Sequence, residues 1–226
     1  MSRQVTRLVI GQITRVPDWH PEYDTFEAFP VHVWLVRHPT ATILVDTGIG
    51  QHNDLIDEWY GPDTVPIDEA LATEGLGADD IDAVVLTHLH FDHCGQVSAL
   101  RAPVYVQAAE LDAAKAPGYT VSDWAAIPTS RLRVVEGDAE IALGVRLLLT
   151  PGHTPGHQSV VVEDDACRIV IGGQCAFHGE ELRSGEPSGS NLHDETWREA
   201  ARASLARIAA LDPCMVELSH ADPVTR

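Results

Sequence analysis

The segment Thr87-His88-Leu89-His90-Phe91-Asp92-His93-Cys94-Gly95-Gln96 sets three histidines and an aspartate within six consecutive residues. A hydrophobic core cannot hold these side chains unpaired, because a buried polar group without a partner is costly. A surface loop gains little from them. The fold must therefore bring them a partner, and a metal ion suits imidazole and carboxylate together. In extended chain, residues two apart share a face, so His88 and His90 can point at one ion. Asp92 and His93 fall where the chain turns toward a helix and can aim elsewhere. A catalytic zinc takes three protein ligands and keeps one position for water, so each pair lacks a third ligand.

Two candidates stand at the ends of strand-like runs. His153, in TPGHTPGHQS, follows VRLLLT on a turn made sharp by Pro151, Gly152, Pro155 and Gly156. His220, in ELSHADP, follows the closing run MVELSH. An isolated histidine is most often a structural residue, but the four residues of the segment and these two form a set far rarer by chance than its parts.

The surrounding pattern is mixed. Strand-like runs rich in Val, Ile and Leu cover residues 5–16, 31–37 and 42–46, the last two forming a hairpin at Pro39. Helical stretches follow at 53–60 and 67–74, then a short buried strand, 81–86, that runs directly into the histidine segment. Further strands are expected at 103–107, 131–150 and, as a hairpin, 157–173, with a long amphipathic helix over 194–211. Phe177 to His193 is Gly/Ser-rich and polar, and reads as a mobile loop. Strands and helices so interspersed predict an α/β protein. With 44% hydrophobic residues and no dividing linker, residues 1–226 read as a single domain.

Fifteen basic residues against 34 acidic ones give a formal charge of −19. Such a chain repels phosphate backbones, which excludes nucleic acid and anionic membrane as partners. The N-terminal apolar patch alternates with polar residues and reads as a strand, and no apolar run reaches the ~18 residues of a membrane span. Cys94, Cys167, Cys175 and Cys214 show no CxxC spacing. Scattered cysteines in a chain without a signal peptide predict a reducing, cytoplasmic setting. A small-molecule substrate is the expected partner, and a homodimer the candidate assembly.

ILVDTGIG at 43–50, THLHFDHCGQ, GHTPGHQS at 152–159 and SHADP occur in the order of, and together resemble, the metallo-β-lactamase superfamily of metal-dependent hydrolases. The resemblance spans nearly the whole chain. It implies a four-layer αβ/βα sandwich with metals at one sheet edge. It also implies that His88, His90 and His153 hold a first ion, and Asp92, His93 and His220 a second, with Asp46 beside them. Zinc is expected, as one or two ions, with iron or manganese as alternatives. A metal-bound water, its pKa lowered toward ~7, would supply hydroxide to a small ester or lactone carbonyl. Asp92 would orient that water and carry its proton to the leaving group. His157 would either steady the site or serve only in packing.

Two positions depart from the family's pattern. Where its members carry an aspartate bridging both metals, this chain has Gln174, a weak or absent ligand whose neutral carbonyl oxygen bridges cations poorly. Three outcomes stand open: two ions held without a bridge, one ion on His88, His90 and His153, or a one-residue shift that recruits Cys175. The lactonase-like branch is the nearest in look, with Trp19, Phe26, Phe29 and Trp34 available for an acyl groove. That branch has a tyrosine where this chain has Phe177. A glyoxalase-II-like thioesterase is disfavoured, because the chain lacks room for an added helical region. His178 and His193 are candidate substitute ligands, while His20, His32, His38 and His52 read as surface or strand-end residues. The alternatives to a hydrolase are a mononuclear iron oxygenase of the same fold and a metal-binding homologue with little turnover.

Overall fold

Alternating side chains on extended backbone decide which residues meet between layers. The computed structural model describes residues 4–15, 27–164, 167–188 and 195–226. A first sheet holds β1 (Gln4–Arg15), β2 (Glu27–His38), β3 (Ala41–Val45), β4 (Asp63–Thr64), β5 (Ala83–Val85), β6 (Val104–Gln107) and β7 (Leu132–Val135), in the order β4-β1-β2-β3-β5-β6-β7. A second holds β8 (Ala139–Ala142), β9 (Val145–Leu149), β10 (Gln158–Glu163), β11 (Arg168–Gly173), β12 (Met215–Leu218) and β13 (Val224–Thr225), in the order β13-β12-β11-β10-β9-β8. The helices are α1 (Asp54–Tyr60), α2 (Ile67–Thr73), α3 (Phe91–Cys94), α4 (Ala108–Ala113), α5 (Gly179–Ser184) and α6 (Glu195–Ala210).

On β2, Trp34 and Val36 face inward and Val33 and Leu35 outward, the period-two consequence of the pleat. The inward set packs on Leu147, Val160, Val162 and Ile171 of the second sheet, so the sheets lie face to face. Ile56, Ile67 and Leu71 cover the outer face of the first sheet, and Leu205 and Ile208 that of the second. Each sheet thus has helices outside and its partner inside, the expected four-layer αβ/βα sandwich.

Two local devices shape the end that carries the histidines. The turn after β3 lies against α3, with Thr47 N donating to the His93 carbonyl and Gly95 N to the Gly48 carbonyl, each at 2.7 Å. A Cβ on Gly95 would sit 2.0 Å from Gly50 N, so only glycine permits this approach. Across the sandwich, β2 is joined to the end of β12. Trp34 Nε1 donates to Glu217 Oε2 at 3.2 Å, and His32 Nδ1 donates to the Leu218 carbonyl at 3.0 Å.

Several expectations need correction. Trp34 is fully buried between the sheets and cannot line a groove. His32 is also buried, and burial lowers its pKa to about 4 despite the Leu218 carbonyl. The segment read as a loop begins with α5, whose entry is fixed by Glu181 Oε1 accepting from the amides of Phe177 and His178. β12 is followed by a further strand, β13, paired antiparallel to it. Trp19, His20, Phe26 and His193 lie outside the described residues.

The cysteine reading is corrected in part. Cys167 and Cys214, 47 residues apart, form a disulfide, while Cys94 and Cys175 are free and buried. Parallel pairing of β11 with β12 brings the two strand starts together, which no sequence spacing reveals. Closing a loop of that length constrains the unfolded chain by about 4 kcal/mol. Denatured, unreduced protein should therefore show two alkylatable thiols by mass spectrometry, and four after reduction. Four thiols before reduction, in protein isolated without reductant, would refute the pairing. Among the described residues no helix is long and apolar enough to cross a membrane.

Candidate metal centre

The candidate site gathers at the carboxyl ends of strands from both sheets. The segment after β5 carries His88, His90, Asp92 and His93, the turn after β9 carries His153, and the segment after β12 carries His220. Two groups of three potential ligand atoms converge, each group within 4.8 Å: His88, His90 and His153, and Asp92, His93 and His220. These are the two sets expected from sequence. His153 Nε2 lies 3.2 Å from His88 Nε2 and 3.1 Å from His90 Nδ1.

Hydrogen bonds behind the ligands fix which nitrogen faces inward. Asp46, held at a φ of 61°, accepts from Thr87 N at 2.7 Å and from Thr87 Oγ1 at 2.8 Å. Having spent its proton there, the Thr87 hydroxyl accepts from His88 Nδ1 at 3.1 Å, which leaves His88 Nε2 unprotonated toward His153. His93 Nδ1 donates to Asp46 Oδ2 at 2.7 Å, and His220 Nδ1 to the Pro30 carbonyl at 2.9 Å. Anchoring one ring nitrogen so that the other is presented is how proteins orient imidazole ligands.

The second group has the character of a cation site. His93 Nε2, His220 Nε2 and Gln174 Oε1 are buried and make no hydrogen bond, while Asp92 Oδ2 lies 3.5 Å from the first and 3.3 Å from the second. Burial opposes a charge on His93, yet Asp92 and Asp46 outweigh it and raise its pKa to about 9. The surroundings favour positive charge at that nitrogen, from a proton or an ion. Burial would likewise raise Asp92, but His93, His220 and His90 hold its carboxyl well below the usual range. For His88, burial and then the neighbouring imidazoles keep the ring neutral, its pKa well below the ordinary value. Donor set, tautomers and unsatisfied buried atoms all fit divalent metal.

Gln174 lies in the site wall beside His93, at 6% exposure, and its backbone N–H donates to His157 Nε2 at 3.1 Å. His157 is buried, donates from Nδ1 to the Thr150 carbonyl at 3.0 Å, and has its pKa lowered to about 3, chiefly by burial. It therefore braces the backbone at Gln174, one of the two roles open to it from sequence. Cys175 points the other way, into the cluster beneath α6, and its thiol is pushed up to about 12 by burial. The one-residue shift toward a cysteine ligand is thus excluded by the turn after β11, which buries Cys175 in that cluster. His178 belongs to neither ligand group.

A cleft of about 440 Å³ opens onto both groups, touching His90, Asp92, His153, Gln174 and His220. Phe177 lines it, edge-on to Phe29 with ring centres 5.3 Å apart. Tyr60 and Tyr119 also line it and were not singled out from sequence. Burial, then the charge of Asp92, raises the Tyr60 hydroxyl to about 12, so it stays protonated. Tyr119 donates to the buried carboxylate of Glu110, a further residue that sequence reasoning passed over. The available signal for it was weak, one of two acidic residues on the short helix AAELDA.

Fold and site together define an αβ/βα sandwich with two histidine-rich candidate metal-binding groups at its strand ends. The sequence model of the Metallo-beta-lactamase superfamily matches residues 27–220, and the chain belongs to that superfamily. It is 33% identical over 155 residues to an N-acyl homoserine lactonase of Bacillus cereus, a match covering 63% of this chain and only 62% of that relative's length. A hydroxyacylglutathione hydrolase of Rhodopseudomonas palustris is 38% identical over 106 residues, 46% of this chain and 37% of the relative. Among solved structures, a quorum-quenching N-acyl homoserine lactone lactonase superposes with a TM-score of 0.81 at 25% identity, covering 97% of this chain and 92% of that one.

Proposed function

We propose that this chain is a metal-dependent hydrolase that opens a lactone, with N-acyl homoserine lactones as the substrate class. The observation that carries the reading is the cleft, lined by His90 and His153 of one ligand group, by Asp92 and His220 of the other, and by the apolar Leu55, Ile56, Trp59, Phe91 and Val121. A polar, charge-bearing floor under apolar walls suits a small polar ring attached to a hydrocarbon chain. The lactonase names among the relatives support the same choice, the hydroxyacylglutathione hydrolase supports hydrolysis alone, and none reported above favours the one-iron oxygenase reading.

His88, His90 and His153 would hold one ion and Asp92, His93 and His220 a second, with zinc proposed for both and Gln174 as a weak neutral contact. Bound metal supplies Lewis acidity, bringing the pKa of water toward ~7 and polarising a carbonyl. The chain's own residues do the rest. Asp92, ionised and at the cleft floor, accepts the proton of the attacking water and returns it to the departing alkoxide. Tyr60 keeps its proton and lines the same cleft as Phe177, which has no hydroxyl. The apolar walls hold the acyl chain and exclude water from it.

The net charge of −19 argues against nucleic acid and anionic membrane partners, and a second copy of the chain is the candidate protein partner. A cytoplasmic setting is proposed from the two buried free thiols; the Cys167–Cys214 disulfide counts against it, and the thiol count above decides between them.

Protein purified without added metal should contain zinc and should open N-acyl homoserine lactones, with turnover lost to a chelator and restored by zinc. Metal content would be measured by mass spectrometry, and ring opening by the acid released. Zinc-loaded protein that leaves lactones intact but cleaves a thioester or simple ester would overturn the substrate class. Loaded protein inert on the whole panel would overturn hydrolysis.

A further inference from the structure

The buried carboxylate of Glu110 is used by nothing in the mechanism above, yet it is fully enclosed and holds four donors. Oε1 accepts from Leu89 N at 2.8 Å and from the Tyr119 hydroxyl. Oε2 accepts from Thr154 Oγ1 at 2.7 Å and from Gly156 N at 3.1 Å. Leu89 stands between His88 and His90, and Tyr119 packs on His90 with ring centres 4.8 Å apart. Thr154 directly follows His153. One oxygen thus grips the loop carrying two ligands and the other grips the loop carrying the third.

We propose that Glu110 is the positioning residue of the first metal site, fixing the separation of the His88–His90 loop from the His153 loop. This rests on the reading that His88, His90 and His153 bind metal. The need is physical: those two loops leave different sheets, and imidazoles, which bind metal in the neutral form, provide no charge of their own to draw them together. Glu110 ties the loops through hydrogen bonds to an ionic acceptor, which are stronger than neutral ones. It also sets a negative charge behind a neutral donor set. The close fit depends on Gly156, where a Cβ would fall 2.2 Å from Glu110 N. Asp46 does the corresponding work for His93 in the second group.

The test uses the full chain carrying His220→Ala, so that only the first site is complete, and reads zinc affinity by competition with a chromophoric chelator. Cobalt absorption bands report ligand geometry in the same proteins. Adding Glu110→Gln should weaken zinc about 10- to 100-fold and alter the cobalt bands, because two of the four donors would face an amide N–H₂. Should that variant fail to fold, Thr154→Val and Thr154→Ser carry the test, since only the second keeps the hydroxyl. The valine variant should bind zinc more weakly, with changed cobalt bands, and the serine variant should bind as the parent does. Parent-like affinity and bands in both Glu110→Gln and Thr154→Val would overturn the positioning role while leaving the metal site intact. Absence of zinc binding in the parent and in the unmutated chain would overturn both this role and the site itself.

Discussion

Replacing Asp92 by alanine is expected to lower kcat for lactone opening by about three orders of magnitude, the scale of a lost proton carrier. Asp92 is 5% exposed, lines the cleft, and is the one carboxylate in either ligand group. Its oxygen lies 3.3 Å from His220 Nε2 and 3.5 Å from His93 Nε2, so its loss also strips the second group of its only charged ligand. Asp92→Asn keeps the shape while removing charge and basicity together, so zinc content must separate lost metal from a lost proton carrier. Steady-state rates and zinc content should be measured on the same samples. An alanine variant that retains a rate within about ten-fold of the parent would show that another group moves the proton.

The second large effect is expected in the opposite direction. Gln174→Asp places a carboxylate where a neutral amide oxygen stands buried without a hydrogen bond, beside His93, whose surroundings favour positive charge. Zinc content should rise toward two per chain, and the more weakly held ion should resist a chelator about 10- to 100-fold longer, the scale of a changed metal environment. The brace from Gln174 N to His157 Nε2 is a backbone bond and survives the exchange. Identical stoichiometry and identical loss to chelator would mean that the amide does not limit the second site.

Much of the site was readable because it rests on local geometry. His88 and His90 share a face by the pleat, and Pro/Gly turns at strand ends announce His153. Strand runs and a helix expected over 194–211, observed at 195–210, followed from periodicity. What stayed hidden depends on contacts between distant segments. Trp34 looked like a groove residue because β2 is apolar on both faces, so alternation could not tell inside from outside. The six-residue α5 is too short to show helical period in a Gly/Ser-rich stretch. Glu110 has no motif around it, and its importance exists only where two loops from different sheets converge. The Cys167–Cys214 pair likewise arises from parallel strands, not from spacing.

The candidate ligands are divided between layers: four follow a strand of the first sheet, while His153 and His220 follow strands of the second. An ion shared by such a set is a rivet through the sandwich. Whatever binds only the assembled form stabilises it by mass action, about 2.7 kcal/mol when free metal stands at a hundred times its dissociation constant. Scarcity would then act twice, silencing the chemistry and loosening the joint between the halves. The persistence of the folded protein becomes a gauge of the metal supply around it.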